Sequence, residues 1–148
     1  MDERTWIVLA DAATARVYAP RAERPNWTLL AELTHPQSRA KDSELLSDKP
    51  GRVKQSAGSR SAMERHTPRK EVEIMKFARE IAKALDDGVA RSAYDRLVLV
   101  APPEMVGMLR ATLSRRVADR ITATVEKDFL HLDPPVARER IEGELSGS

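Results

Sequence analysis

The side chains here that can do chemistry are two aspartates at strand ends, three histidines, one glutamine among serines and a run of cations. Asp11 closes the apolar run Trp6-Ile7-Val8-Leu9-Ala10, and Asp128 follows the alternating Ile121, Ala123 and Val125. Carboxylates at the carboxyl ends of parallel strands can gather magnesium for phosphodiester hydrolysis. The remaining apolar strand, Leu97-Val98-Leu99-Val100-Ala101, ends in Pro102-Pro103 and offers no third ligand. Glu71 or Glu73 would have to reach over from a helix, and ordinary surface placement is the simpler reading. Asp11 and Asp128 therefore read first as turn and cap residues. His35, His66 and His131 share no metal-ligand spacing and have no cysteine beside them, so they read as ordinary loop histidines and no metal is expected. Gly51 and Gly58 lack the strand, glycine-rich turn and helix that cradle a phosphate, and no Ser-His-Asp order can be defended. No cofactor is expected.

The cations carry a clearer signal. Between Pro36 and Lys70 stand Arg39, Lys41, Lys49, Arg52, Lys54, Arg60, Arg65, Arg69 and Lys70 against Asp42, Glu44, Asp48 and Glu64. That segment carries +5 while the whole chain carries +2, which leaves −3 for the rest. A basic stretch on a slightly acidic body draws phosphate-rich partners. It also serves simply to keep a loop solvated.

The elements that must position these groups follow from periodicity. Trp6 to Ala10 is a continuous apolar run, as expected of a strand covered on both faces. Ala15 to Tyr18 alternates, and so do Trp27, Leu29, Ala31 and Leu33, predicting an antiparallel meander. Residues 34–67 hold no sustained apolar period and read as a long basic loop, a length that is usually functional or disordered. Thr67 and Pro68 then cap and open a helix along Val72, Met75, Ala78, Ala82 and Leu85, stopped at Asp86-Asp87-Gly88. Pro102-Pro103 opens a second helix on Met105, Met108, Leu109 and Leu113, and a short one follows Pro134, with residues 146–148 frayed. One α/β domain spans residues 1–148. Right-handed crossovers give it a five-stranded mixed sheet of order 3-2-1-4-5 with flanking helices. The six aromatic residues lie in core elements, so no base-stacking platform is expected.

Several segments together resemble the bacterial host attachment family. They are Trp6 to Asp11 with Ala15-Arg16-Val17, Leu46-Ser47-Asp48-Lys49-Pro50-Gly51-Arg52, Phe77-Ala78, Ile81-Ala82, Tyr94 to Pro103, Leu109-Arg110 and Lys127-Asp128-Phe129. That family is similar in turn to the middle domain of archaeal and eukaryotic peptide release factors, a ribonuclease H-like arrangement. There a loop with Gly-Arg-Gly-Gly-Gln-Ser brings its glutamine to the peptidyl-transferase centre to position water. The matching stretch here is Gly51-Arg52-Val53-Lys54-Gln55-Ser56. Val53 and Lys54 replace the paired glycines, and a β-branched residue resists the positive φ that glycine accepts.

Three readings result. The resemblance and the charge favour a non-catalytic RNA- or ribosome-associated module contacting phosphates through Arg39, Lys41, Lys49, Arg52, Lys54, Arg60 and Arg65. A hydrolase would use Gln55 on peptidyl-tRNA, or Asp11 and Asp128 on phosphodiesters. A protein-interaction factor would influence attachment to host cells indirectly, through a protein partner. The N-terminal apolar run is too short for a signal core or a membrane span, and cysteine is absent, so the chain is expected in the cytoplasm, off the membrane.

Overall fold

The computed structural model of the protein describes residues 4–39 and 68–147, with Arg39 by its backbone only. Five strands, β1 (Thr5–Ala10), β2 (Thr14–Ala19), β3 (Thr28–Thr34), β4 (Arg96–Val100) and β5 (Ile121–Val125), form one sheet in the order β3-β2-β1-β4-β5. β2 pairs antiparallel with both β1 and β3, whereas β1, β4 and β5 run parallel. The predicted mixed sheet and strand order are therefore observed.

Helices cover both faces. Helices α1 (Pro68–Ala90), α2 (Pro103–Thr112) and the short α3 (Arg115–Ala118) lie on one, and α4 (Pro134–Ser146) lies on the other. The pleat sends alternate residues of β1 into different layers: Trp6, Val8 and Ala10 meet Phe77, Ile81 and Leu85 of α1, while Ile7 and Leu9 meet Ile141 of α4. That double burial explains why β1 and β4 read as unbroken apolar runs.

Four expectations need correction. Helix α1 does not stop at Asp86-Asp87-Gly88; it continues to Ala90. Its end is a Schellman closure in which Ser92, at φ 57°, donates its N–H to the Val89 carbonyl at 2.9 Å and Ala93 donates to Gly88 at 2.8 Å. Gly88 instead admits two rings: a Cβ there would stand 2.7 Å from Trp6 Cη2 and 2.9 Å from Tyr94 Cε1.

Strand β3 does not alternate cleanly. Its register slips opposite Val17 and Tyr18, so Tyr18 faces Leu29, Val17 faces Ala31, and Leu30 is the extra residue. Leu29 and Leu30 are consequently exposed on an edge strand. Helix α4 is longer than expected and keeps Ser146, whose hydroxyl donates to the Glu142 carbonyl at 3.0 Å. Finally, the 3₁₀ turn Pro36–Arg39 lies inside the stretch read as loop. The expected Thr67 cap falls outside the described residues.

Candidate functional site

Open α/β sheets bind ligands beyond the carboxyl ends of their strands, where successive connections leave in opposite directions. Here that point lies between β1 and β4: the chain leaves β1 by a hairpin to β2 and leaves β4 into α2. A cleft of about 270 Å³ opens there, lined by Asp11, Ala12, Ala13, Ser38, Ile74, Pro102, Glu104, Met105 and Asp128. Its walls are apolar in the middle and acidic at the lips. Among the described residues no cation lines it.

Asp11 builds its own position. Its Oδ1 accepts the N–H groups of Ala13 at 2.9 Å and Thr14 at 2.8 Å, while its own N–H donates to the Thr14 carbonyl at 2.9 Å. This is the expected turn role, and it leaves Oδ2 without a hydrogen-bond donor among the described residues. Asp128 follows β5 and stands 3.9 Å from Nδ1 of His131, an exposed pair of little strength. β1 and β5 are separated by β4, and Asp128 lies in the loop beyond Val125, the last residue of β5. No group of three potential metal ligands exists among the described residues. Glu73, the proposed third carboxylate, is engaged elsewhere.

Its partner is His35, which is no ordinary loop histidine. The ring is nearly buried and stacks on Phe77 with centroids 5.7 Å apart. Nε2 donates to Glu73 Oε1 at 2.9 Å, and Nδ1 stands 3.4 Å from Glu80 Oε2. The hydrogen bond to His35, reinforced by Lys76, holds the Glu73 carboxyl below its usual range despite partial burial. The His35 N–H donates to the Ala13 carbonyl at 2.8 Å. One residue thus ties the end of β3 to both the β1–β2 turn and α1. The two described ends flanking residues 40–67 are fixed to a single edge of the sheet.

Sequence reasoning missed His35, because a lone histidine beside a proline carries no spacing signal. It also missed Ser38, whose residue is 2 % exposed and whose hydroxyl has no hydrogen-bond partner among the described residues. Glu104 was legible only as the acidic first turn of α2. Of the expected phosphate contacts, Arg39 has a described backbone in the 3₁₀ turn; Lys41, Lys49, Arg52, Lys54, Arg60 and Arg65 lie outside the described residues, as do Gln55 and His66.

Elsewhere the body pairs many of its charges internally. Arg4 grips Asp95 through two bonds of 2.9 and 3.0 Å, Arg16 meets Glu32 at 2.7 Å, and Arg138 meets Glu142 at 3.0 Å. Arg116 holds Asp86 at 2.7 and 2.9 Å while Ser114 donates to the same carboxylate. Those contacts, Arg116 first, lower the Asp86 pKa to about 2.

Against this geometry, comparison with protein families gives one match. A model described as a protein required for attachment to host cells covers residues 6–141. The chain belongs to the host attachment family. Comparison with curated proteins found no match. The segments by which the sequence resembles this family acquire physical roles in the described residues. Tyr94 packs its ring on Trp6 at 4.5 Å and donates its hydroxyl to the Leu85 carbonyl at 2.8 Å, Leu97–Val100 lie in β4, and Pro103 sits in the first turn of α2. Burial lifts the Tyr94 phenol to about 12. Among the described residues no helix is long and apolar enough to cross a membrane.

Proposed function

We propose that this host attachment family member is a non-catalytic module that docks on RNA or the ribosome through the cations of residues 36–70. The supporting observation is the partition of charge. The segment carries +5 and the remainder −3, while arginines of the described body are engaged with its own aspartates and glutamates. The described residues on either side of it, His35 and helix α1, are joined at the carboxyl edge of the sheet. Phosphate attraction requires cations, not the paired glycines that a release-factor-like loop uses, so it survives Val53 and Lys54. Peptidyl-tRNA hydrolysis through Gln55 is disfavoured by the same substitutions, and phosphodiester hydrolysis by Pro102-Pro103, which give the end of β4 no third carboxylate.

Anisotropy of a labelled single-stranded RNA, titrated with the full chain at several salt concentrations, tests this reading. Each phosphate neutralised contributes a log–log salt slope of about −0.7. Replacing Lys49, Arg52, Lys54 and Arg60 by Gln is expected to flatten the slope by about 3. Absence of binding at low salt, or binding indifferent to those replacements, refutes it. Sedimentation with polysomes extends the test to the ribosome.

A second reading rests on Leu29 and Leu30, exposed on the unpaired outer side of β3. An edge strand with apolar side chains can pair with another chain. A protein partner acting in attachment would then co-purify after nuclease treatment and be lost when both leucines become Lys.

A further inference from the structure

The imidazole of His35 sits in a cradle supplied by one face of α1. Glu73, Phe77 and Glu80 recur at i, i+4 and i+7, which is the spacing of a single helical face. Nε2 donates to Glu73 Oε1 at 2.9 Å, Nδ1 stands 3.4 Å from Glu80 Oε2, and the ring lies on Phe77 with the planes 21° apart. A neutral imidazole has one N–H and one bare lone pair. With its proton on Nε2 for Glu73, the lone pair would face the Glu80 carboxylate, acceptor against acceptor. Only the doubly protonated ring satisfies both contacts, and its charge also gains from the Phe77 face. Burial works the other way, because the His35 side chain is only 11 % exposed and a buried charge is costly unless paired. The two carboxylates differ in freedom. Glu73 is 17 % exposed and also held by Lys76 at 3.4 Å, whereas Glu80 is 50 % exposed.

We propose that this junction is a pH-sensitive latch, with Glu73 as its constant arm and Glu80 as the arm that engages only when His35 carries its second proton. Histidine is the side chain whose charge changes between about pH 5 and 8. As pH rises through that range, Nδ1 loses its proton and releases Glu80 to solvent, while Nε2 keeps Glu73. As pH falls, the Glu80 arm adds stability until the carboxylates themselves take up protons. The Glu73 carboxyl, held below its usual range by the His35 hydrogen bond and by Lys76, keeps its charge through that interval. Among the described residues, the other charges at the junction are Lys76 on α1 and Asp11, whose carboxylate is tied into the β1–β2 turn that the His35 N–H grips through Ala13. The latch acts on the cleft. The His35 carbonyl accepts the Ser38 N–H at 3.0 Å, and Ser38 lines the cleft together with Ile74 of α1. An engaged Glu80 therefore ties the 3₁₀ turn to α1 through a second contact.

The test is a pH titration of the isotopically labelled full chain, with the His35 ring signals assigned through their contact with the Phe77 ring. At about pH 5.5 both ring nitrogens are expected to carry protons, and at about pH 8 only Nε2. Glu80→Ala removes the switching arm from a half-exposed position and leaves Glu73 in place. In urea titrations it is expected to raise the unfolding equilibrium constant about threefold more at the lower pH than at the higher. The amide of Glu80→Gln can accept from Nδ1–H or donate to bare Nδ1, so this variant is expected to exceed Glu80→Ala in stability by the same factor at both pH values. A bare Nδ1 at the lower pH, an Nδ1 proton retained at the higher, or a Glu80→Ala loss equal at the two would each overturn the proposal. A gap between the Gln and Ala variants that changes with pH would overturn the assignment to Nδ1. Because His35, Glu73 and Glu80 lie outside the basic segment, failure here leaves the RNA reading standing, and the reverse holds as well.

Discussion

Gly88 and Gly107 both lie inside α-helices, yet alanine is expected to act on them in opposite directions. In an exposed helix interior the change from Gly to Ala stabilises by about 1 kcal/mol, because the backbone loses less entropy on folding. Nothing lies within 4 Å of a Cβ built on Gly107, so Gly107→Ala should gain about 0.5–1 kcal/mol. At Gly88 the same methyl would stand 2.7 and 2.8 Å from two atoms of Trp6 and 2.9 Å from Tyr94. Neither ring can simply step aside. They are stacked on each other at 4.5 Å, and the Tyr94 hydroxyl is anchored on the Leu85 carbonyl within the same helix.

Overpacking of a close-packed core costs about 1–3 kcal/mol, and rigid rings on two sides put this site at the upper end. Subtracting the gain of about 1 kcal/mol in helix propensity leaves a net loss of about 2 kcal/mol for Gly88→Ala. For a chain of this size that corresponds to a fall of about 4–8 °C in Tm. Urea unfolding followed by tryptophan fluorescence measures both variants, with Trp6 reporting directly on the site. If Gly88→Ala proved as stable as Gly107→Ala, the close approach of helix α1 to these rings would be wrong.

Three further perturbations address the joints of the fold. Ser92→Gly should stabilise by about 0.5–1 kcal/mol in the same urea assay, since relief of the left-handed conformation outweighs glycine's extra entropy. Asp86, held at about 2 in the folded chain, contributes stability that is complete above its ordinary pKa of 3.8 and disappears as pH falls through about 2. Asp86→Asn should therefore be less stable than wild type at neutral pH, with the gap closing between about pH 4 and pH 2; a gap independent of pH would argue against the Arg116 contact. A double-mutant cycle on His35→Ala and Glu73→Gln should give a coupling of about 1–2 kcal/mol, and additive losses would show that the 2.9 Å contact does not hold in solution.

The sheet was legible because its signals are local and redundant. β1 and β4 are apolar on every residue, α1 repeats its apolar face over many turns, and the handedness of crossovers then leaves few arrangements. Features that depend on one residue meeting another from elsewhere in the chain were not legible. Asp86-Asp87-Gly88 has the composition of a helix stop, but the glycine is required by rings from β1 and from the loop before β4. The true end uses Ser92 in a conformation that its side chain does not advertise. The bulge at Leu30 shifts β3 by one residue without altering its composition. The four-residue α3 and the 3₁₀ turn are too short to show a period. Of the site, Asp11 and Asp128 were visible as strand-end carboxylates, whereas Ser38 and His35 became meaningful only when β3 brought them beside the β1–β2 turn.

The placement of the cleft follows from the order of the strands alone. Because β1 lies between a hairpin partner and a crossover partner, the backbone cannot close over its carboxyl end, and the gap falls between Asp11 and Pro102. β3 also runs parallel to β1, being twice reversed, so His35 and Ser38 are delivered to that same edge. The acidic lips and the residues flanking the basic segment therefore meet at one edge as a consequence of topology. Arg4, Asp95 and the Arg116–Asp86 contact lie at the opposite ends of the parallel strands, where each charge finds a partner within the chain. Both edges carry internal pairs, Arg4–Asp95 and Arg116–Asp86 at one and His35–Glu73 at the other, and the cleft opens at the second because the strand order leaves the backbone divided there.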